Sequence, residues 1–310
     1  MIALAPTSSN APRRAAFTLI ELLVVIAIIA LLIGIVLPSL GTARRSARSA
    51  ACLATLSGIG QALTLYANDN NECTVASYTM EGTSGVGVEL EGWGPILARD
   101  GYVAGAGTQQ LRGSAFTCPE AIDVAGLAAG QTGTNPDNPK GWMDWPCVRT
   151  GSGFAPTTIP ERGFEQTLRV AYWINGDNPI GAVTTVVPDS FYTGSVGYGP
   201  ASGGNFIMHT RLSAFIRPHT LVAVADGVYA GRQRNNRQGS PNSRIGFRHI
   251  GGGGGTGTAN VVFADGHAAG IRGDVFPRAA GGDNPLEEVR RENANGQATV
   301  YANPERSLGL

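Results

Sequence analysis

The stretch FTLIELLVVIAIIALLIGIVLPSL, residues 17–40, decides how the rest of the chain is read. As a helix rising 1.5 Å per residue it would be about 36 Å long, enough to cross a hydrocarbon core of about 30 Å. Arg13 and Arg14 stand just before it, so the short leader should stay cytoplasmic and the remainder should be exported. A secretory signal has a shorter apolar core followed by a small-x-small cleavage site. Here the run is longer, and Pro38, Arg44 and Arg45 follow it. Arg13-Arg14 with Phe17 matches a twin-arginine signal faintly, but the hydrophobicity of the segment argues against that. Ala50-Ala51-Cys52 would suit a lipoprotein, yet an arginine-rich stretch separates Cys52 from the apolar run. The reading that stands is a single-pass anchor.

Glu21 does not belong in a plain anchor. An acidic side chain inside an apolar span costs on the order of 2.5–3.5 kcal/mol on insertion scales, and an intramembrane ionisable group calls for a named partner. If the chain is cut before Phe17, the new α-ammonium lies one helical turn from Glu21. In an assembly, the ammonium of one subunit would neutralise the carboxylate of its neighbour. The competing reading is a Glu21 that stays solvated among the headgroups and does nothing.

The string RRAAFTLIELLVVIAIIALLIGIVLP resembles the class III signal of type IV prepilins and type II secretion pseudopilins. The resemblance comprises a basic leader, a small residue before the cut, Phe17 as mature N-terminus, Glu21 as its fifth residue, and Pro38 where such helices kink. It implies cleavage of the Ala16–Phe17 bond by a membrane prepilin peptidase and methylation of the Phe17 amine. Glu21 is then the residue of recruitment and register. Ala16 stands where the family has Gly.

Beyond Pro38, residues 41–72 continue as a helix in which Leu53, Leu56, Ile59, Leu63 and Tyr66 form one apolar stripe. This stripe is expected to pack on a following sheet. Arg44, Arg45 and Arg48 face either anionic lipid or a neighbouring subunit, or are simply solvated. Asp69-Asn70-Asn71 ends the helix with turn-forming side chains. Residues 73–278 read as a β-rich, loop-rich head, with strands expected at 168–174, 221–225 and 260–263. Asp226-Gly227 and Asp265-Gly266 are placed as tight turns. Residues 124–160 read as a loop-rich insertion, and 279–310 as a polar, weakly ordered tail. The fold class is therefore α+β: a long N-terminal helix, transmembrane then amphipathic, docked on a β-rich head.

With 44 glycines among 310 residues, such a head must be rich in turns. Formal net charge is zero, which removes the electrostatic case for nucleic acid as a partner. Four cysteines, Cys52, Cys73, Cys118 and Cys147, allow disulfides in an exported domain. Both Cys118 and Cys147 adjoin proline and flank a loop-like stretch, so those two are expected to pair.

The segment RHIGGGGGTGTANVVFADGHAAGI is similar to the "H-x9-D-G" region of a subgroup of prepilin-like proteins. On that resemblance His249 is the histidine and Asp265-Gly266 the D-G pair. Fifteen residues separate His249 from Asp265, a surplus that suits a Gly/Thr insertion at a hairpin tip.

Catalysis finds little support. His249, Asp265 and His267 are the most enzyme-like cluster, and hairpin pairing could bring the two histidines together. There is, however, no H-E-x-x-H, no G-x-S-x-G and no Walker loop. Asp226 and Asp265 are candidate oxygen donors to a structural Ca²⁺; no other cofactor is expected. The plainer reading has the aspartates capping turns and His249 filling a sheet edge.

The expected function is a structural subunit in the inner membrane, with a periplasmic head, polymerising through residues 17–40. Its partners would be the prepilin peptidase, other pilin-like subunits, the assembly platform and the bilayer. The alternative is a membrane-anchored binding or hydrolytic module that uses the same leader. Mass spectrometry of the membrane-extracted protein should find a mature N-terminus at Phe17 carrying one added methyl group. An N-terminus at Met1, or one beyond Leu40, would remove the basis for this reading.

Overall fold

The computed structural model describes residues 18–81, 86–103, 115–127, 138–151, 153–176, 192–194, 196–198, 210–230, 244–249, 257–273 and 298–300. The chain divides into two compact units, residues 1–44 and 45–310, and each is described by itself.

The first unit is the N-terminal part of helix α1 (Leu19–Asp69). Every described side chain in it is exposed, including the whole leucine, isoleucine and valine run up to Leu40. Pro38 lies inside the helix, although a proline cannot donate to the carbonyl four residues earlier. The carbonyl left without that donor is that of Gly34; the neighbouring Ser39 hydroxyl donates to the Val36 carbonyl at 2.9 Å. By length and composition α1 is the one described helix able to cross a membrane.

The second unit opens with the remainder of α1. Its buried residues are Cys52, Leu56, Ile59, Gly60, Ala62, Leu63, Tyr66 and Ala67, a stripe at helical spacing. The expected stripe is there with one change: Cys52 begins it, and Leu53 is only half-buried. The helix stops where Asn71 and Glu72 adopt positive φ. The Asn70 side chain donates to the Tyr66 carbonyl at 2.8 Å, and the Glu72 amide to the Ala67 carbonyl at 2.8 Å, which satisfies carbonyls the helix leaves open.

The head contains strands β1 (Thr79–Glu81), β2 (Glu89–Leu90), β3 (Met143–Trp145), β4 (Cys147–Thr150), β5 (Gly153–Pro156) and β6 (Leu168–Val170). These are followed by β7 (Tyr172–Ile174), β8 (Val196–Tyr198), β9 (Val222–Asp226), β10 (Thr258–Phe263) and β11 (Ala268–Arg272), with a short helix α2 (Trp93–Arg99) between β2 and β3. One sheet has the order β5-β4-β2-β1-β8, the second β11-β10-β9-β7, and β3 pairs with β6. The second sheet is antiparallel throughout; β7, β9 and β10 are buried on both faces, whereas the edge strand β11 is half-buried to exposed. Tyr172, Ile174 and Val262 join the large core with Leu56, Ile59 and Leu63. The alternate residues Trp173, Val261 and Phe263 join a smaller core with Ile245, Phe247 and Val300. This is the two-residue alternation of a strand.

Four expectations change. The stretch 168–174 is two strands with different partners, because the backbone of Ala171 is drawn out of the ladder. Its amide donates to Phe116, and its carbonyl accepts from Gly227 and from the Arg248 guanidinium. Residues 124–160, expected as a loop-rich insertion, carry β3, β4 and β5, and Trp145 and Cys147 are core residues. Asp226-Gly227 is not a tight turn: Asp226 closes β9 with its side chain buried, and Gly227 pairs with Ile245. Within the expected polar tail, Thr299 bridges to Leu221 and Val300 is buried. Asp265-Gly266 does turn the chain, between β10 and β11, with Gly266 at φ 90°.

The helix meets this hairpin at Gly60. A Cβ there would lie 2.7 Å from the Gly266 carbonyl oxygen and 2.9 Å from Val262 Cγ1, inside contact distance to backbone. Gly60→Val should therefore cost about 1–3 kcal/mol, the range for overpacking. Urea unfolding followed by tryptophan fluorescence would read this, and a variant as stable as the parent would contradict the close packing.

Candidate functional site

At the amino end, Thr18 and Glu21 close a reciprocal capping box. The Glu21 carboxylate accepts from the Thr18 amide at 2.9 Å and from the Thr18 hydroxyl at 2.8 Å, while the Glu21 amide donates to Thr18 Oγ1 at 3.2 Å. Thr-x-x-Glu ahead of an apolar run is the sequence signal for this arrangement, and it was legible in residues 18–21. The acidic side chain thus satisfies amides that the first turn leaves without partners, and sits at the positive end of the helix dipole. Ala16 and Phe17 lie outside the described residues.

In the head, polar groups converge at the end of β9. Asp226 has no exposure. Its Oδ2 accepts from the Asn260 amide at 2.7 Å and lies 2.9 Å from His249 Nε2; its Oδ1 is 3.8 Å from Arg248 Nε. The Arg248 guanidinium donates to the Ala171 carbonyl at 2.8 Å. Burial lowers the pKa of Arg248, and the Asp226 carboxylate opposes that shift. Tyr172 is shifted upward, first by burial and then by Asp226. The backbone of His249 exchanges both hydrogen bonds with Thr258, extending the sheet edge, while its ring turns inward toward Asp226.

The same ring nitrogen also faces sulfur. His249 Nε2 is 3.8 Å from Cys118 Sγ, and Cys118 is bonded to Cys52 with Cα atoms 5.1 Å apart. The expected Cys118–Cys147 pair is corrected. Cys52 faces inward from the buried stripe of α1, whereas Cys147 is held in register between Leu90 and Pro156 in the first sheet. Cys147 is free and buried; burial, then Asp144, pushes its thiol pKa well up. Beside the disulfide opens a cavity of about 620 Å³ lined by Thr55, Cys118, Pro119, Asp123, Trp142 and Arg169 among others. The Arg169 guanidinium lies 3.3 Å over the Trp142 ring and pairs with Asp144 at 2.9 Å.

Residues 11–37 match the family model for the prokaryotic N-terminal methylation motif. This is a prepilin-type amino terminus. Such a motif implies processing by a prepilin peptidase and assembly with other pilins, and supports a type IV pilin-like or pseudopilin precursor. The match does not extend to His249, Asp265 or Gly266. No curated protein and no solved structure matches the chain.

The head that follows this prepilin-type amino terminus separates residues that the sequence groups together. His249 lies opposite Thr258 at the start of β10, and His267 follows the turn at its far end. His267 Nδ1 is 2.5 Å from Asp265 Oδ1, and its ring stacks on Phe263. Asp265 thus braces its own turn as expected, while Asp226 does not. The two aspartates have different partners. Asp226 with His249, and Cys52 with Cys118, were not paired by sequence reasoning, because their separations carry no local pattern.

A non-reducing peptide map should recover a Cys52–Cys118 cross-link and leave Cys73 and Cys147 open to alkylation. Cys52→Ser should cost about 2–4 kcal/mol, the usual worth of a native disulfide, read by urea unfolding. A bridge containing Cys147 would contradict this assignment.

Proposed function

We propose that this chain is a pilin-like structural subunit. It is cleaved between Ala16 and Phe17, methylated on Phe17, and assembled through its N-terminal helix into a pseudopilus or type IV pilus-like fibre. The observation that carries this reading is an exposed apolar helix bearing one acidic residue, Glu21, inside a methylation motif. Exposed leucine, isoleucine and valine on every side of a helix need a bilayer or other helices around them. Before assembly the bilayer supplies that solvent; in a fibre the neighbouring subunits do. The head lies in the periplasm because Arg13 and Arg14 hold the leader in the cytoplasm, and the inner-membrane assembly platform gathers the subunits.

The capping box refines the role of Glu21. Within one chain the carboxylate is held by Thr18, which lowers the cost of carrying it into an apolar surrounding. Cleavage before Phe17 creates an ammonium next to Thr18, and the Glu21 carboxylate of an adjoining subunit is its natural counter-ion. Pro38 leaves one carbonyl without its helical donor, a point where the helix can bend as subunits pack. The structural reading is preferred to a binding or hydrolytic module because its support lies in the matched segment itself.

Glu21→Gln distinguishes capping from assembly, because glutamine keeps the acceptor for Thr18 and removes the charge. The variant should be inserted, cleaved and methylated, yet lose most of its cross-linkable multimer in membranes. Normal multimer from this variant would limit Glu21 to capping its own helix.

A further inference from the structure

We propose that Cys52, Cys118 and His249 form a buried binding site for a thiophilic d¹⁰ cation of the Zn²⁺ type when their disulfide is reduced. The disulfide and the metal are then two alternative states of one site. This goes beyond the assembly reading and does not depend on it.

The ligand atoms are already gathered. Among the described residues, Cys52, Cys118 and His249 are the group whose donor atoms all lie within 4.8 Å of one another, and all three are buried. The Nε2–Sγ separation to Cys118 is 3.8 Å and the Nε2–Oδ2 separation to Asp226 is 2.9 Å. Ligands on a tetrahedral zinc with bonds of about 2.0–2.3 Å stand about 3.3–3.8 Å apart, so a small adjustment suffices at the histidine. The two sulfurs must separate, which reduction permits. Asp226 lies outside that group of three; its Oδ2, held by the Asn260 amide, can take the fourth ligand position only by moving toward the sulfurs.

Charge also balances. Two thiolates neutralise a divalent cation, and Asp226 keeps Arg248 as its counter-ion at 3.8 Å. The filled site would therefore bury no net charge, the condition for ions removed from water. Soft thiolates with an imidazole select this class of metal over hard, oxygen-seeking cations.

The reaction is complete in atoms and electrons. An external dithiol reduces the disulfide by two electrons and is itself oxidised to a disulfide, leaving two thiols in the head. Binding the cation releases the two thiol protons, and the imidazole proton moves from Nε2 to Nδ1 so that Nε2 can ligate. Of the three ligands Cys118 lines the 620 Å³ cavity, and the exposed side chain of Asp123 lines it too, which gives an incoming cation an approach to that sulfur.

The test uses full-length protein in detergent, reduced with a phosphine and titrated with Co²⁺ as a spectroscopic probe. The reduced chain should give one tetrahedral, thiolate-ligated Co²⁺ per molecule, displaced by Zn²⁺, and the oxidised chain none. Cys118→Ser should abolish that spectrum, His249→Gln should weaken binding at least about tenfold, and Cys73→Ser should leave it unchanged. Absence of a tetrahedral thiolate spectrum in the reduced chain overturns the proposal, as does undiminished affinity in His249→Gln. Should reduction alone loosen the head by circular dichroism, Zn²⁺ must restore it, and failure to do so overturns the proposal equally.

Discussion

The carboxylate of Asp226 is withdrawn from water at the end of β9, and a charge so placed costs several kcal/mol unless donors surround it. That requirement organises the centre of the head. One oxygen takes the Asn260 amide from β10 and faces His249 from the segment that pairs with β10. The other looks to Arg248, whose guanidinium reaches back to Ala171 between β6 and β7. A single acid thus ties four stretches of chain that are far apart in sequence. It explains why Ala171 interrupts a run of strand-forming residues, and why Asp226-Gly227 does not make the tight turn its residue types favour.

Helix α1 is built for two solvents. Up to Leu40 the described apolar side chains are exposed on all sides, a pattern that suits hydrocarbon or other helices. From Cys52 onward the buried residues fall on one stripe, which suits a protein core on one side and water on the other. Gly60 lets the helix backbone come within reach of the β10–β11 turn, and the Cys52–Cys118 bond fastens the same stripe. At its beginning, Glu21 and Thr18 give the helix a closed first turn.

Local patterns carried much of this information, and their failures are informative. The stripe over residues 56–66, the stop at Asn70-Asn71 and the Asp265-Gly266 turn depend on neighbours within one or two turns, so spacing and residue type reveal them. The capping box at Thr18 and Glu21 was equally local. Residues 124–160 misled because Pro, Gly and Asn are frequent there; yet Met143, Trp145 and Cys147 alternate inward along the later part. Cysteine pairing misled for a different reason. Adjacency to proline says nothing about which thiol faces which, and Cys147 was already committed to the middle of a sheet.

By itself the sequence determined the character of the amino-terminal segment, which matches a methylation motif. A basic leader, a 24-residue apolar run and one acid within it are constraints set by the bilayer and by helix geometry, and both act along the chain. Only the tertiary structure decided what the head holds. Asp226 and His249, and Cys52 and Cys118, meet across separations of 23 and 66 residues. No periodicity links such pairs. Their meeting follows from how two sheets and a helix close over buried charge.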